Sequence, residues 1–317
     1  MSDQKPTTIT VLIPVYNECG TLEPLVEGIT HSLSGMRHRI LFVDDGSTDG
    51  SYEQLCALRE RFDTIDLIKF RRNFGKSAAL AAGFARAEGD LLFTMDADLQ
   101  DDPKEIPRFI EKLNEGYDLV SGWKAVRHDP WNKTFPSKVY NAIVERLTGL
   151  TIHDVNCGFK LYRMEVVKQL RIYGDQHRLI PVYAASLGYR IGEITVEHHP
   201  RTYGMSKYGF KRFSRGALDL ATAIFLTHHL FTPGHFFGRV GVILGGLGGL
   251  SLLVAALGLC VKSHLVLAVL AIAGVVLIVG GLLAAGLGLC TELALRQFVD
   301  PAPYAYISEE RVKRNDT

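Results

Sequence analysis

The amino-acid sequence predicts an α/β domain built on a mostly parallel sheet, followed by amphipathic interface helices and a two-helix transmembrane hairpin. Three observations carry this. Short β-branched apolar runs alternate with helical patterns from Thr8 to Ser121. Each run ends in a cluster of Asp, Asn, Gly or basic residues. Two stretches without any charge, Val240 to Val261 and Leu265 to Cys290, stand near the end of the chain.

The predicted strands are Thr8–Val15, Arg39–Val43, Ile65–Phe70, Leu91–Met95 and Leu119–Ser121, with helices over 21–33, 52–61, 76–87 and 103–115. Strands joined through helices pair in parallel, and both sheet faces are then covered. Ligands of such sheets bind beyond the carboxyl ends of the strands. Those ends carry Tyr16-Asn17-Glu18, Asp44-Asp45-Gly46-Ser47, Arg71 to Lys76, and the acidic stretch that starts at Asp96. Each cluster alone is ordinary turn chemistry; four in succession point to one crevice.

The acidic stretch is the most informative. In an extended segment Asp96, Asp98 and Gln100 share one face while Ala97 and Leu99 take the other. Two carboxylates and an amide oxygen suit Mg²⁺ or Mn²⁺, which leave positions for water and substrate phosphate. The other reading is an acidic cap on the helix that begins at Pro103. Two nucleotide devices are excluded: no G-x-G-x-x-G follows a strand, and Gly75-Lys76-Ser77 has Phe70 where a phosphate-binding loop needs its first glycine.

The ordered motifs Pro14-Val15-Tyr16-Asn17-Glu18, Asp44 to Gly50, Asn73-Phe74-Gly75-Lys76, Asp96-Ala97-Asp98-Leu99-Gln100 and Asp154 to Lys160 resemble glycosyltransferase family 2 with a GT-A fold. Within it the chain is most similar to the polyprenyl-phosphate glycosyltransferases of the dolichyl-phosphate mannose synthase and GtrB-like group. The resemblance implies an inverting, metal-dependent hexosyltransferase that moves a sugar from a nucleotide diphosphate sugar, UDP-glucose foremost, to a polyprenyl phosphate. A GDP-mannose donor, a polysaccharide synthase and a non-catalytic nucleotide-sugar binder are the alternatives. A synthase of polymers resembles this chain less, because neither Trp123 nor Trp131 stands in a Q-x-x-R-W context.

Carried over residue by residue, the resemblance puts Pro14, Tyr16, Glu18, Val43, Asp45, Lys76, Asp96, Ala97 and Asp98 around the nucleotide sugar. Asp96, Asp98 and Gln100 hold Mg²⁺ or Mn²⁺. Asp98, Lys124 and Asp154 take catalytic roles, Asp154 as base, as acceptor-positioning group, or as a structural cap of residues 155–162. Arg127, Arg201 and Lys207 are the candidate phosphate and acceptor contacts. The mannose synthases show Gly-Ser-Arg where this chain has Gly122-Trp123-Lys124, and a lysine lacks the planar fork that grips phosphate bidentately.

Each charge-free run exceeds the roughly 20 residues that cross a bilayer. Basic residues flank the pair, from Lys207 to Arg239 before it and from Arg296 to Arg314 after it, whereas Lys262 alone sits in the turn. By the positive-inside rule the catalytic domain and both termini are cytoplasmic, on a multi-pass protein of the inner membrane. The expected divisions are a catalytic domain over 1–205, juxtamembrane helices over 206–235, the hairpin over 236–295 with helices near 238–261 and 265–290, and a tail over 296–317. No cleaved signal peptide is expected. A net charge of +1 gives no reason to invoke nucleic acid, and five scattered cysteines suit a reducing compartment. Glycine-rich helix faces are compatible with a homo-oligomer, with no number of subunits implied.

Overall fold

The computed structural model describes residues 7–125, 144–146, 148–172, 174, 176–197, 222, 225, 233–258 and 263–298. Arg127, Arg201, Lys207, most of the juxtamembrane stretch and the end of the tail lie outside them. The chain divides into two compact units, Met1–Ile224 and Phe225–Thr317.

In the first unit the elements run β1 (Thr8–Val15), α1 (Leu22–Ser32), β2 (Arg37–Asp44), α2 (Ser51–Arg61), β3 (Ile65–Lys69), α3 (Lys76–Arg86), β4 (Leu91–Thr94), α4 (Ile106–Asn114) and β5 (Leu119–Trp123). Then come β6 (Lys160–Arg163), α5 (Met164–Gln169), α6 (Ile180–Ser186) and β7 (Ile191–Thr195). Short 3₁₀ turns at Pro103–Glu105 and Gln176–Leu179 precede α4 and α6. The sheet order is β3-β2-β1-β4-β6-β5-β7. All neighbours pair in parallel except β6, which is antiparallel to both β4 and β5.

Alternation along the strands divides the core in two. Ile9, Val11, Ile13 and Val15 of β1 pack with α1, α2 and α4, whereas Leu12 faces α3, α5 and α6. A sheet buried on both faces explains why these strands read as continuous apolar runs. Phe93, Phe109 and Phe159 meet edge to face, with centroids 4.8 to 5.1 Å apart. Each such pair contributes about 0.5–1.5 kcal/mol beyond area burial. The trio joins β4 and α4 to the segment before β6.

The second unit contains α7 (Pro233–Leu257) and α8 (His264–Phe298), both long and apolar enough to cross a membrane. Their close approach rests on glycine: a Cβ on Gly248 would stand 2.6 Å from the Gly274 carbonyl, and one on Gly241 would stand 2.8 Å from that of Gly281. A Cβ on Gly245, Gly246 or Gly249 would meet nothing within 4 Å, whereas one on Gly281 would stand 3.1 Å from the Gly245 backbone nitrogen. Ser251 donates to the Leu270 carbonyl at 2.7 Å, and the Gly234 N–H donates to Glu292 at 3.2 Å.

Candidate active site

From β1 the chain builds outward through β2 to β3, then returns to the other side of β1 with β4. The strand order reverses between β1 and β4, and open α/β sheets bind ligands in the crevice at such a point. Four loops meet there.

The first three are interlocked by side chains that the sequence spends on the backbone. Asn17, at φ 55°, donates its N–H to Ser47 Oγ at 3.0 Å and accepts the Thr48 N–H at 2.8 Å. The Glu18 N–H donates to Ser51 Oγ at 2.9 Å. Asp45, 4% exposed, accepts the Phe74 N–H at 2.7 Å and the Gly75 N–H at 2.9 Å. Burial pushes the Asp45 pKa up, and these two donors offset only part of that. Gly46 has φ +73°, and a Cβ there would lie 2.5 Å from the Arg72 carbonyl carbon.

The fourth loop carries the acids, and it departs from the expected extended alternation. β4 ends at Thr94, residues 97–99 form a bend, and Leu99 adopts φ 58° so that its side chain packs on the core. Asp96 forms an ion pair with Lys76. Burial alone would raise the Asp96 pKa, but the Lys76 ammonium, with Lys124 and His177 beyond it, lowers it to about 2. Asp98 is 9% exposed and accepts the Gln100 N–H at 3.3 Å.

Gly158 closes the floor. Thr94 Oγ1 donates to its carbonyl at 2.8 Å, and a Cβ on it would stand 3.0 Å from Asp96 Oδ2 and 3.1 Å from Lys76 Nζ. Beneath lies a cavity of about 10 Å³, lined by Lys76, Asp96, Asn156, Lys160, Tyr162 and His177 among others. It has room for about one water. Lys160 is 2% exposed, and burial lowers its pKa to about 8, against the opposing pull of Cys157 and Asp154. His177 meets Ser77 Oγ through Nδ1 at 2.8 Å. Burial, then Lys76 and Arg178, push its pKa well below the usual value.

The remaining expected residues fall as follows. Pro14 lines the cavity, while Tyr16 and Glu18 are half-buried in the first loop. Val43 and Ala97 are 0% and 3% exposed, with their side chains in two of the core clusters. Only their backbones are left to line a pocket. Lys124 pairs with Asp101 at 2.5 Å. Burial works against its charge, but Asp101 outweighs that and raises its pKa. Asp154 is 2% exposed, and its N–H donates to Glu193 Oε1 at 2.9 Å. The same carboxylate accepts the His153 N–H at 3.0 Å, so Glu193 of β7 fixes the backbone that carries Asp154.

The sequence does not single out His177 or Glu193, Ser77 stands only in the excluded phosphate-loop match, and Lys160 is only the end of a motif. Lys160 carried a signal, a charged residue entering a strand; a single histidine in a loop carried none. As for a cation, Asp96, Asp98 and Gln100 are hard oxygen donors of the type Mg²⁺ and Mn²⁺ take. No cluster of three His, Cys, Asp or Glu fit to hold a metal stands among the described residues. By donor chemistry alone these residues suit an ion that takes the rest of its shell from water and substrate phosphate.

Comparison with known proteins agrees with this geometry. Residues 10–171 match the family model for glycosyl transferase family 2. The dodecaprenyl-phosphate galacturonate synthase of Rhizobium johnstonii is 39% identical over 252 residues, covering 77% of this chain and 75% of that protein. Glucosyl-3-phosphoglycerate synthase from Mycobacterium tuberculosis, in complex with Mn²⁺, uridine diphosphate and phosphoglyceric acid, superposes with TM-score 0.55 at 16% identity, over 70% of this chain and 78% of that one. The same protein with Mg²⁺ and uridine diphosphate gives TM-score 0.54 at 16% identity, over 70% and 79%. At that identity the likeness speaks for the fold. With sheet order, interlocked loops and family match in agreement, the chain belongs to glycosyl transferase family 2 and is a glycosyltransferase of GT-A fold.

Proposed function

We propose that the protein transfers a sugar from a nucleotide diphosphate sugar to a polyprenyl phosphate at the cytoplasmic membrane face, with inversion at the anomeric carbon. The observation that carries this is a family 2 crevice on the same chain as two helices long and apolar enough to cross a membrane. A lipid phosphate is an acceptor that such a chain reaches without releasing it from the bilayer. The galacturonate synthase relative supports the same acceptor class.

Uridine diphosphate is the proposed carrier. For the sugar, the relative's galacturonate moves the proposal from glucose to a hexuronate. Lys76, Lys160 and Asp96 stand together at the cavity, two basic groups against one carboxylate, and an acidic sugar held in front of them meets the positive excess.

In the transfer, an oxygen of the lipid phosphate attacks the anomeric carbon as the bond from that carbon to the diphosphate breaks. The nucleoside diphosphate leaves with the electron pair. A phosphate monoester has a second pKa around 6, so its oxygen is anionic at neutral pH and needs no strong base. Asp154, buried on a backbone held by Glu193, serves to position the acceptor. Asp96, Asp98 and Gln100 hold Mg²⁺ or Mn²⁺, which supplies charge neutralisation at the leaving diphosphate. The interlocked first three loops hold the nucleotide end.

The test is a thin-layer assay of organic extracts. Purified protein is incubated with Mn²⁺, undecaprenyl phosphate and, in separate tubes, radiolabelled UDP-galacturonate, UDP-glucose, UDP-N-acetylglucosamine and GDP-mannose. Labelled lipid from UDP-galacturonate is expected; label from another donor corrects the sugar, and water-soluble label in every tube overturns the reaction.

A further inference from the structure

We propose that Ser77 and His177 form a positioning pair that fixes one imidazole tautomer and turns its Nε2–H into the cavity beside Asp96, as a hydrogen-bond donor to an oxygen of the nucleotide-sugar donor. It rests on the donor reading above.

Every polar atom of this buried pair needs a partner. Ser77 lies in the first turn of α3 and is 1% exposed. Its Oγ accepts the His177 backbone N–H at 3.2 Å and meets His177 Nδ1 at 2.8 Å. The hydroxyl proton has no other acceptor among the described residues, so it is satisfied only by donating to Nδ1. Nδ1 is then the acceptor, and the ring proton sits on Nε2. In the opposite arrangement Nδ1–H donates to Oγ and leaves a buried hydroxyl proton unpaired, the less stable choice.

Nδ1 is thus occupied at α3, and the imidazole lines the cavity shared with Lys76, Asp96, Gly158 and Lys160. An uncharged N–H supplies a donor there without adding a further cation to the two lysines. The 3₁₀ turn Gln176–Leu179 that carries His177 is held to the start of α3 by this pair, a separation of 100 residues in sequence. A fixed outer partner that sets the tautomer of a working histidine typically matters 10- to 100-fold in metal sites.

The test has two readouts. The full chain is labelled with ¹⁵N-histidine, and His177 is assigned by its loss in the His177→Gln variant. The expected spectrum near pH 7.5 has Nε2 protonated and Nδ1 bare; Nδ1 protonated, in the other tautomer or in the cation, overturns the proposal. Mn²⁺-free UDP, UDP-glucose and UDP-galacturonate are then added in separate samples. A shift of Nε2 with UDP assigns the contact to the diphosphate, and a shift only with a UDP-sugar assigns it to the sugar. No shift, in a chain that calorimetry finds to bind these ligands, overturns it.

Kinetics provide the second readout. Glutamine carries its amide nitrogen near the ε position and asparagine near the δ position. His177→Asn is expected to lose about 100-fold in kcat/KM, the scale of one lost donor to a developing charge, and His177→Gln to remain within about 10-fold of the parent. Ser77→Ala is expected to fall about 10-fold. A purely structural brace to Ser77 predicts the reverse order, Asn better than Gln, and that order overturns the proposal. A parent chain that makes no lipid product and binds none of the ligands overturns the donor reading and this proposal together. A parent that turns over while Asn and Gln behave alike overturns only this one.

Discussion

Lys160 shows how a single residue trades stability for placement. Its ammonium is carried into a site 2% exposed, and burial lowers its pKa from 10.5 to about 8. That difference corresponds to roughly 3 kcal/mol. Between these values the unfolded chain binds the proton and the native chain does not, so stability rises with pH from about 8 to about 10.5. Lys160→Met is therefore expected to raise the melting temperature of the domain at pH 7, with an advantage that shrinks toward pH 10. Thermal unfolding at both values checks this, and an advantage independent of pH refutes the burial argument. Asp96 behaves oppositely. Its folded pKa near 2 gives a contribution present above about pH 4 and lost as pH falls toward 2. With 36% of the Asp96 side chain exposed, solvent screening keeps that contribution small. Asp98→Asn is expected to lower kcat at least 100-fold with an unchanged circular dichroism spectrum; full activity at saturating Mn²⁺ removes the cation from the mechanism.

At the scale of elements, the loops after β1, β2 and β3 act as one rigid piece, because each donates or accepts hydrogen bonds from the next. Asp45→Asn keeps the shape but weakens two charge-assisted bonds to the third loop. A loss of about 1–3 kcal/mol is expected, measured by urea unfolding, together with weaker UDP binding. Gly46→Ala is expected to cost more, since it adds both a left-handed alanine and a clash with the Arg72 backbone. Gly158→Ala tests a different element. Its Cβ reaches the Lys76–Asp96 pair and not the core, so turnover is expected to fall by more than tenfold with a melting temperature within a few degrees of the parent. A large loss of stability with intact turnover of the folded fraction contradicts that division.

For the molecule as a whole, two compact units imply separable roles. Removal of residues 240–290 is expected to leave UDP binding nearly intact and to abolish use of undecaprenyl phosphate, while a short-chain polyprenyl phosphate in detergent retains partial activity. Calorimetry and the lipid assay measure the two halves. Equal loss of both means that the hairpin supports the fold of the first unit.

Local patterns were enough for the α/β class, the positions of the first five strands along the chain, the two apolar helices and the acidic motif, because these depend on periodicity and on residues near one another in the chain. Period-two and period-3.6 patterns survive without knowledge of partners, and so does a run of apolar residues long enough for a bilayer. Tertiary structure alone decided what depends on distant segments meeting. The antiparallel insertion of β6 between β4 and β5 brings Gly158 and Lys160 under Asp96, 62 and 64 positions away in sequence. The left-handed turn at Leu99 broke an alternation that local reasoning extended too far, because packing Leu99 on the core outweighed an extended backbone. Among the described residues His177 is hydrogen-bonded to Ser77, and no local pattern marks a histidine whose partner lies 100 residues earlier.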